Sequence, residues 1–498
     1  MILGYKKLTI ILLLSILTSI FIDYSAKGMT GYYISICIFI FLLLTTLYNF
    51  KIGIYLFIFT ALIIPQFSRS LVAEVVESDN LNIANFYSLH STTLFGLALP
   101  VLYIILIGMY SIFCLYKSRA TLFKKNLSEI LLWLIFLTIL LLLSTLINVL
   151  DGRENQIKDL ISDLRLIITW FFGVFIYRYI SVITTRTERF RYFFNVLVFS
   201  VLVVGLRTIL FILVDVINHT QSYDFSTLPY IGYPIFFTII YVLNNVRLKW
   251  LMLVIAALSA FSLKRSDLAF FVILLVLYFI VGIMSKQRQY QLSSLKSFMY
   301  VLGAIIAINY TLFIFAEDAY MFMLYKLNFF TVEMWEGNLS NSAMIRQLEF
   351  INIYNDSISR VYPFFIGSGL GGYFDFSYSI MPNVGVSDFS SLEIERNKFV
   401  RPHTFFNFIY LKGGIIYLTF YLMLTLSMIF IGIKAISKSR FDNYKNAIQE
   451  KFVLFFSIGY SVFCLNMFWQ PLHAFMFIFL LCMLIDYIKE NKNVINNS

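Results

Sequence analysis

Long apolar runs follow one another along most of the chain, separated by short polar breaks. A helix that crosses a bilayer needs roughly 20 apolar residues. On that measure the pattern predicts fourteen spans, at about 8–22, 31–48, 52–65, 93–116, 128–150, 160–181, 193–217, 230–246, 250–263, 267–284, 297–316, 404–433, 452–469 and 472–488. One break is much longer than the others. It divides the chain into residues 1–316 with spans one to eleven, a large loop at 317–403, and residues 404–498 with the last three spans and the C-terminus. Within the loop, Met344, Leu348, Ile351, Tyr354, Ile358 and Val361 recur at spacings of four and three. That period predicts an amphipathic helix from about Ser340 to Tyr362, lying on the helix bundle or in the membrane interface.

Composition agrees with the pattern. Of 498 residues, 60% are hydrophobic and only 13% charged, about half the charged share of a soluble protein. The expected fold class is therefore an all-α polytopic integral membrane protein. Lys6-Lys7 ahead of Leu8–Ile22 resembles a signal peptide, but no small-x-small cleavage site follows. The segment reads as a retained first helix.

Charge then sets the orientation. With the N-terminus in the cytoplasm and the spans alternating, the majority of the 38 basic residues fall in cytoplasmic segments, and the acidic residues go the other way. This is the positive-inside pattern, and it places both termini in the cytoplasm. The net charge of +11 is accordingly a topology signal, and no nucleic-acid partner is expected. The outer face receives the turn Lys264–Asp267, the large loop and all four histidines. Cys37, Cys114, Cys464 and Cys482 lie inside apolar spans without a CxxC, which points to neither a disulfide framework nor a zinc site.

An ionisable side chain inside a span costs about 2.5–3.5 kcal/mol on insertion scales, so each one needs a reason. Arg165 lies in the sixth span near Asp159 and Asp163, Arg207 in the seventh, and Lys412 in the twelfth. Each is either a functional group or one member of a packing ion pair. Arg265, with Lys264, sits in a short outer turn. Two adjacent cations there suggest an anionic ligand, since a guanidinium fork matches phosphate oxygens. Arg346 sits off the apolar stripe of the loop helix.

Gly367-Ser368-Gly369-Leu370-Gly371-Gly372 satisfies G-x-G-x-x-G formally. It lacks the strand-before and helix-after context of a dinucleotide site. Closely spaced glycines instead permit unusual backbone angles and close approach of a ligand or a helix. His403, after Arg401-Pro402, opens the twelfth span with Asn407 one turn on. A neutral imidazole there could take a proton from a hydroxyl at neutral pH. No His, Asp or Glu spacing indicates a metal site.

Taken together, Arg346, Gly367/Gly369/Gly371, His403 and the pair Gly413-Gly414, with Ser262-Leu263-Lys264-Arg265-Ser266 upstream, resemble the O-antigen ligase/polymerase superfamily of bacterial polysaccharide assembly. The motifs cover about 250–433. His403 is followed by Thr404 where the family commonly has Asn. The resemblance implies a GT-C-like membrane glycosyltransferase of the inner membrane, with one periplasmic loop between helices 11 and 12 and its active site facing the periplasm. It implies undecaprenyl-diphosphate-linked oligosaccharides as substrates, with neither nucleotide sugar nor metal, and a chain-length regulator as a possible partner. On that reading His403 is the general base, Arg265 and Arg346 hold the donor diphosphate, and Arg165 is a third cation. Polymerisation of the repeat units is the leading expectation. Ligation of the glycan to lipid A core is the nearest alternative. A lipid-linked oligosaccharide flippase is an alternative of another class, and the long loop speaks against it.

Overall fold

The computed structural model describes residues 10, 13–17, 29–64, 89–90, 92–118, 125–152, 157–200, 203, 299, 303, 310, 314, 342–379, 391–402, 404–438, 449–450, 453–454, 456–461 and 471–496. These residues are mostly helical. The elements are α1 (Met29–Tyr48), α2 (Phe50–Ile63), the hairpin β1 (Thr93–Leu94) and β2 (Leu97–Ala98), α3 (Leu99–Lys117), α4 (Lys125–Leu150), α5 (Ile157–Ile183) and α6 at 186–200. Then come α7 (Ser342–Arg360), α8 (Tyr362–Ile366), α9 (Ser391–Arg396), α10 (Phe405–Lys438) and α11 (Pro471–Asn496).

Among the described residues five helices are long and apolar enough to cross a membrane: Met29–Tyr48, Leu99–Lys117, Ile130–Leu150, Asp159–Ile183 and Phe405–Lys434. They coincide with expected spans within a few residues at most ends. The expected spans at 52–65 and 472–488 are shorter apolar helices, Phe50–Ile63 and Leu472–Ile488. The spans expected at 230–246, 250–263 and 267–284 lie outside the described residues, as do most of 193–217 and 297–316. The chain is a membrane protein of helical class.

One boundary moves. The span expected to begin at 93 begins at Leu99, because residues 93–98 fold into a hairpin. Thr93 pairs with Ala98 and Leu94 with Leu97. Phe95 and Gly96 make the turn, with φ of 53° and 75°. Two successive positive φ angles belong to the hairpin turn that matches strand twist.

The described chain divides into two compact units. In the first, Asn49 separates α1 from α2 and caps α2, its side chain accepting from the Ile52 amide. Tyr103 stacks on Phe57 at 4.1 Å between centroids, with its hydroxyl 2.5 Å from Thr46 Oγ1. His90 Nε2 lies 3.1 Å from the carbonyl oxygens of Ala61 and Ile64 at the end of α2. Helix α6 starts on a reciprocal cap: the Glu188 carboxylate accepts from the Thr185 amide, and the Thr185 hydroxyl accepts from the Glu188 amide. This T-x-x-E pairing satisfies two amides that the first turn would leave open.

The second unit holds α4, α5 and α7 to α11. Helix α11 is buried almost all round from Leu472 to Tyr487, as a uniformly apolar helix should be. Tyr177 of α5 donates to Asp486 of α11 at 3.0 Å. Helix α4 is two-faced. Leu134, Leu137, Leu141, Ser144 and Asn148 recur every three to four residues and are buried, while Leu132, Trp133, Leu142, Leu146 and Leu150 are exposed.

Helix α7 forms where the loop periodicity predicts it, within two residues at each end, but the expected stripe is only partly buried, with Leu348 and Ile351 half-buried. Tyr354, Ile358 and Val361 of the expected apolar stripe are exposed, whereas Ile345, Glu349, Asn352, Ile353 and Ser357 are buried. The helix packs on α10 through Asn407, Phe406 and Tyr410, while the C-terminal part of the expected stripe faces outward.

Candidate functional site

The glycine loop fits into a break in α10. Gly414 has φ 64° and ψ −163°, which interrupts the helix inside the span. A broken turn leaves upstream carbonyls without their i+4 amides, and in a membrane such groups must be satisfied by protein. The loop supplies the donors. Ser368 N–H donates to Leu411 O at 2.7 Å, and Gly369 N–H to Lys412 O at 2.9 Å.

Glycine is needed for the contact itself. A Cβ on Gly367 would lie 2.3 Å from the Gly413 nitrogen, and one on Gly369 2.4 Å from the Thr145 nitrogen. Gly367, Gly369 and Gly371 also have φ of 73°, 72° and 73°, a region that side-chain-bearing residues enter at a cost.

The remaining amides are also consumed. Gly367 N–H donates to Pro363 O, Leu370 N–H to Thr145 Oγ1 at 2.7 Å, Gly371 N–H to Asp163 Oδ2 at 2.8 Å, and Gly372 N–H to Gly369 O. Ser144 Oγ donates to Gly367 O at 2.7 Å. An anion cradle requires open amides, and here every amide from Gly367 to Gly372 has a protein acceptor. The glycines therefore serve close approach of a helix rather than of a phosphate.

Asp163 of α5 and Lys412 of α10 lock this loop. Lys412 Nζ lies 2.8 Å from Asp163 Oδ2, with side chains 2% and 3% exposed. Lys412 also donates to Gly372 O at 2.6 Å. Lys412 is seven residues into its span, roughly 10 Å along the axis. At that depth a lone ammonium is costly, and the pair with two backbone partners offsets the cost. Sequence proximity had placed Asp163 beside Arg165. Two residues apart on a helix, they point to opposite sides, and the partner of Asp163 comes from α10, 249 positions along the chain.

Arg165 is half-buried. The exposed Arg401, just before α10, is close enough to exert electrostatic repulsion on it, and hydrogen-bonds Ser162 Oγ. Asp159, Glu393 and Lys412 lie within the same electrostatic neighbourhood. The segment leading to Arg401 is fixed by an isolated bridge between Phe374 and Phe399, by packing of Phe376 on Phe399, and by Asn397 Oδ1 accepting from the Phe376 amide.

Arg346 sits half-buried in the first turns of α7. Its carbonyl accepts from Asn407 Nδ2 at 3.0 Å, and Asn407 reaches Glu349 at 3.5 Å. Thr404 begins α10, its Oγ1 accepting from the Asn407 amide at 3.1 Å. Thr404 thus caps the helix, and Asn407 joins it to the helix carrying Arg346. His403 and Arg265 lie outside the described residues, as does Arg207.

A further polar group lies where α4 ends. Arg360 pairs with Asp356, and its Nη1 is 3.4 Å from Asn148 Oδ1. Tyr362 donates to Asp151 Oδ2 at 2.9 Å. Sequence reading singled out none of Asp163 as a partner of Lys412, Arg360 or Arg401 as a site residue. For Arg401 the signal was present, since it stands two residues before His403.

Comparison with family models, curated proteins and solved structures returned no match in any of the three.

Proposed function

We propose that this chain is a polysaccharide polymerase of the inner membrane. It would join undecaprenyl-diphosphate-linked repeat units at the periplasmic face by inverting glycosyl transfer, within a GT-C-like arrangement of about fourteen spans. The observation that carries the reading is the gathering of Arg165 and Arg401 at the membrane face where α5 and α10 begin. Two guanidinium groups held within mutual repulsion are suited to a dianionic ligand at a membrane surface. A lipid diphosphate has that charge and that depth.

In this reaction the acceptor hydroxyl oxygen bonds to the anomeric carbon of the donor glycan, and undecaprenyl diphosphate leaves. The developing negative charge on the leaving group needs fixed cations. Arg165 and Arg401 would supply them, with Arg346 and Arg265 as further cations implied by the family resemblance. The hydroxyl proton goes to a base, for which His403 is the candidate. The Asp163–Lys412 pair and the glycine loop hold α4, α5 and α10 together beside Arg165 and Arg401.

The test is a lipopolysaccharide gel of a deletion strain complemented with wild type, His403→Ala, Arg401→Ala or Arg165→Ala at matched protein levels. A ladder collapsed to a single repeat on core, restored only by wild type, is the expected result. Bare core with lipid-linked polymer accumulating would identify a ligase. A ladder unchanged by the deletion would overturn both.

A further inference from the structure

Helix α7 buries its polar side and shows its apolar side to the exterior. At 100° per residue, Ile345, Glu349, Asn352, Asp356 and Arg360 share one side. Phe350, Tyr354, Ile358 and Val361 share the other, at 36%, 39%, 46% and 65% exposure, with the exposed Gln347 one turn before them at the N-terminal end. Phe365 of α8 extends that face at 49%. A helix on a water-exposed loop would be sorted the other way, because the hydrophobic effect drives apolar side chains inward. The reversed sorting indicates that the medium outside this helix is itself apolar.

Its neighbours place the helix at a particular depth. Arg346 O bonds Asn407, the Phe350 ring lies 6.1 Å from Phe406 and 6.0 Å from Tyr410, and Ser357 Oγ is 2.8 Å from Tyr410 Oη. These α10 residues belong to the first six of the span Phe405–Lys434, within roughly 8 Å of its end. At the other end, Arg360 and Tyr362 meet Asn148 and Asp151, at the last turn of the span Ile130–Leu150. Helix α7 therefore runs along the membrane boundary. Leu146, Val149 and Leu150 of α4 are exposed at that same boundary, so the apolar surface continues from a membrane span into the loop helix. Tyr354 has the amphipathic ring that gathers at headgroup level, and Phe350 and Phe365 supply the apolar face of an interfacial helix.

We propose that the stripe Phe350–Tyr354–Ile358–Val361, with Phe365, is sunk in the headgroup–acyl boundary of the bilayer. The loop helix is then an interfacial element that carries Arg346 at lipid level. This inference does not depend on the proposed enzymatic activity.

The test uses the full chain with its native cysteines replaced, reconstituted in phosphatidylglycerol/phosphatidylcholine nanodiscs. Tyr354→Cys, Ile358→Cys and, as an exposed control off the apolar stripe of the same helix, Ser359→Cys each receive an environment-sensitive fluorophore. Mild substitutions at exposed positions should leave folding intact, which the elution volume of each variant checks. The expected result is blue-shifted emission at 354 and 358. Shallow doxyl lipids should remove most of the intensity there, iodide little of it, and Ser359→Cys should respond more strongly to iodide. Red-shifted, iodide-quenched emission at 354 and 358 would overturn the proposal in favour of a water-exposed face. Protection from both quenchers, with disulfide crosslinking of Ile358→Cys between molecules, would overturn it in favour of a second copy on that face.

Discussion

Replacing Lys412 by Met should be among the most damaging single changes in the second unit. The substitution keeps the length of the side chain and removes the charge. It leaves Asp163 at 3% exposure without the ammonium 2.8 Å away, still accepting from the Gly371 amide. It also leaves Gly372 O without the donor that now sits at 2.6 Å. Breaking one side of a buried ion pair costs about 3–5 kcal/mol, because the surviving charge stays buried. Asp163→Asn should cost a similar amount by stranding Lys412. The double variant Asp163→Asn/Lys412→Met carries no charge, and its Asn can still accept from Gly371. Its loss should therefore fall well below the sum of the two single losses, by about 2 kcal/mol or more. Equilibrium unfolding by SDS from mixed micelles, followed by far-UV circular dichroism, measures the cycle. Additive losses, or a Lys412→Met loss under about 1 kcal/mol, would refute the reasoning and mean that the pair is hydrated rather than buried.

Three further outcomes follow from the same structure. Gly369→Ala places a Cβ 2.4 Å from the Thr145 backbone nitrogen at φ +72°. It should cost about 2–4 kcal/mol by combining positive-φ strain with overpacking, whereas Gly303→Ala, where a Cβ meets nothing within 4 Å, should be near neutral in the same unfolding assay. Thr185→Ala removes one half of the cap on α6 and should cost about 1 kcal/mol, read as a small drop in melting temperature. Burial holds the His90 imidazole below its usual pKa, against the two carbonyl acceptors that pull it up. The unfolded chain then binds the proton more readily, so His90 should contribute stability above about pH 6.5 that is lost as pH falls below it. Melting temperature between pH 7.5 and 5 should fall less steeply in His90→Gln than in wild type.

How much was legible in the sequence depended on whether the signal was local. Apolar run length located α1, α3, α4, α5 and α10, because the bilayer imposes one length on every span. The loop helix was legible through its 3.6-residue period. Its orientation was not, since periodicity reports that a helix has two faces without saying which solvent lies outside. The glycine run signalled close approach, but that the approaching partner is the α10 backbone required knowing that Gly414 breaks the helix. The hairpin at 93–98 was hidden by the apolar character of Leu94, Phe95 and Leu97. Arg165 stood out as an ionisable residue inside a span, and the structure sets it near Arg401. The pairing of Asp163 with Lys412 was not legible, because its cation comes from α10, far along the chain.

The central claim is that the chain itself lengthens a lipid-linked glycan. Purified protein in liposomes, supplied only with undecaprenyl-diphosphate-linked repeat units, tests it directly by mass spectrometry of the lipid fraction. The expected products are lipid-linked oligomers of two and more repeats, with one undecaprenyl diphosphate released per linkage, and none from the His403→Ala protein. Substrate that stays at one repeat with folded wild-type protein present would contradict the claim.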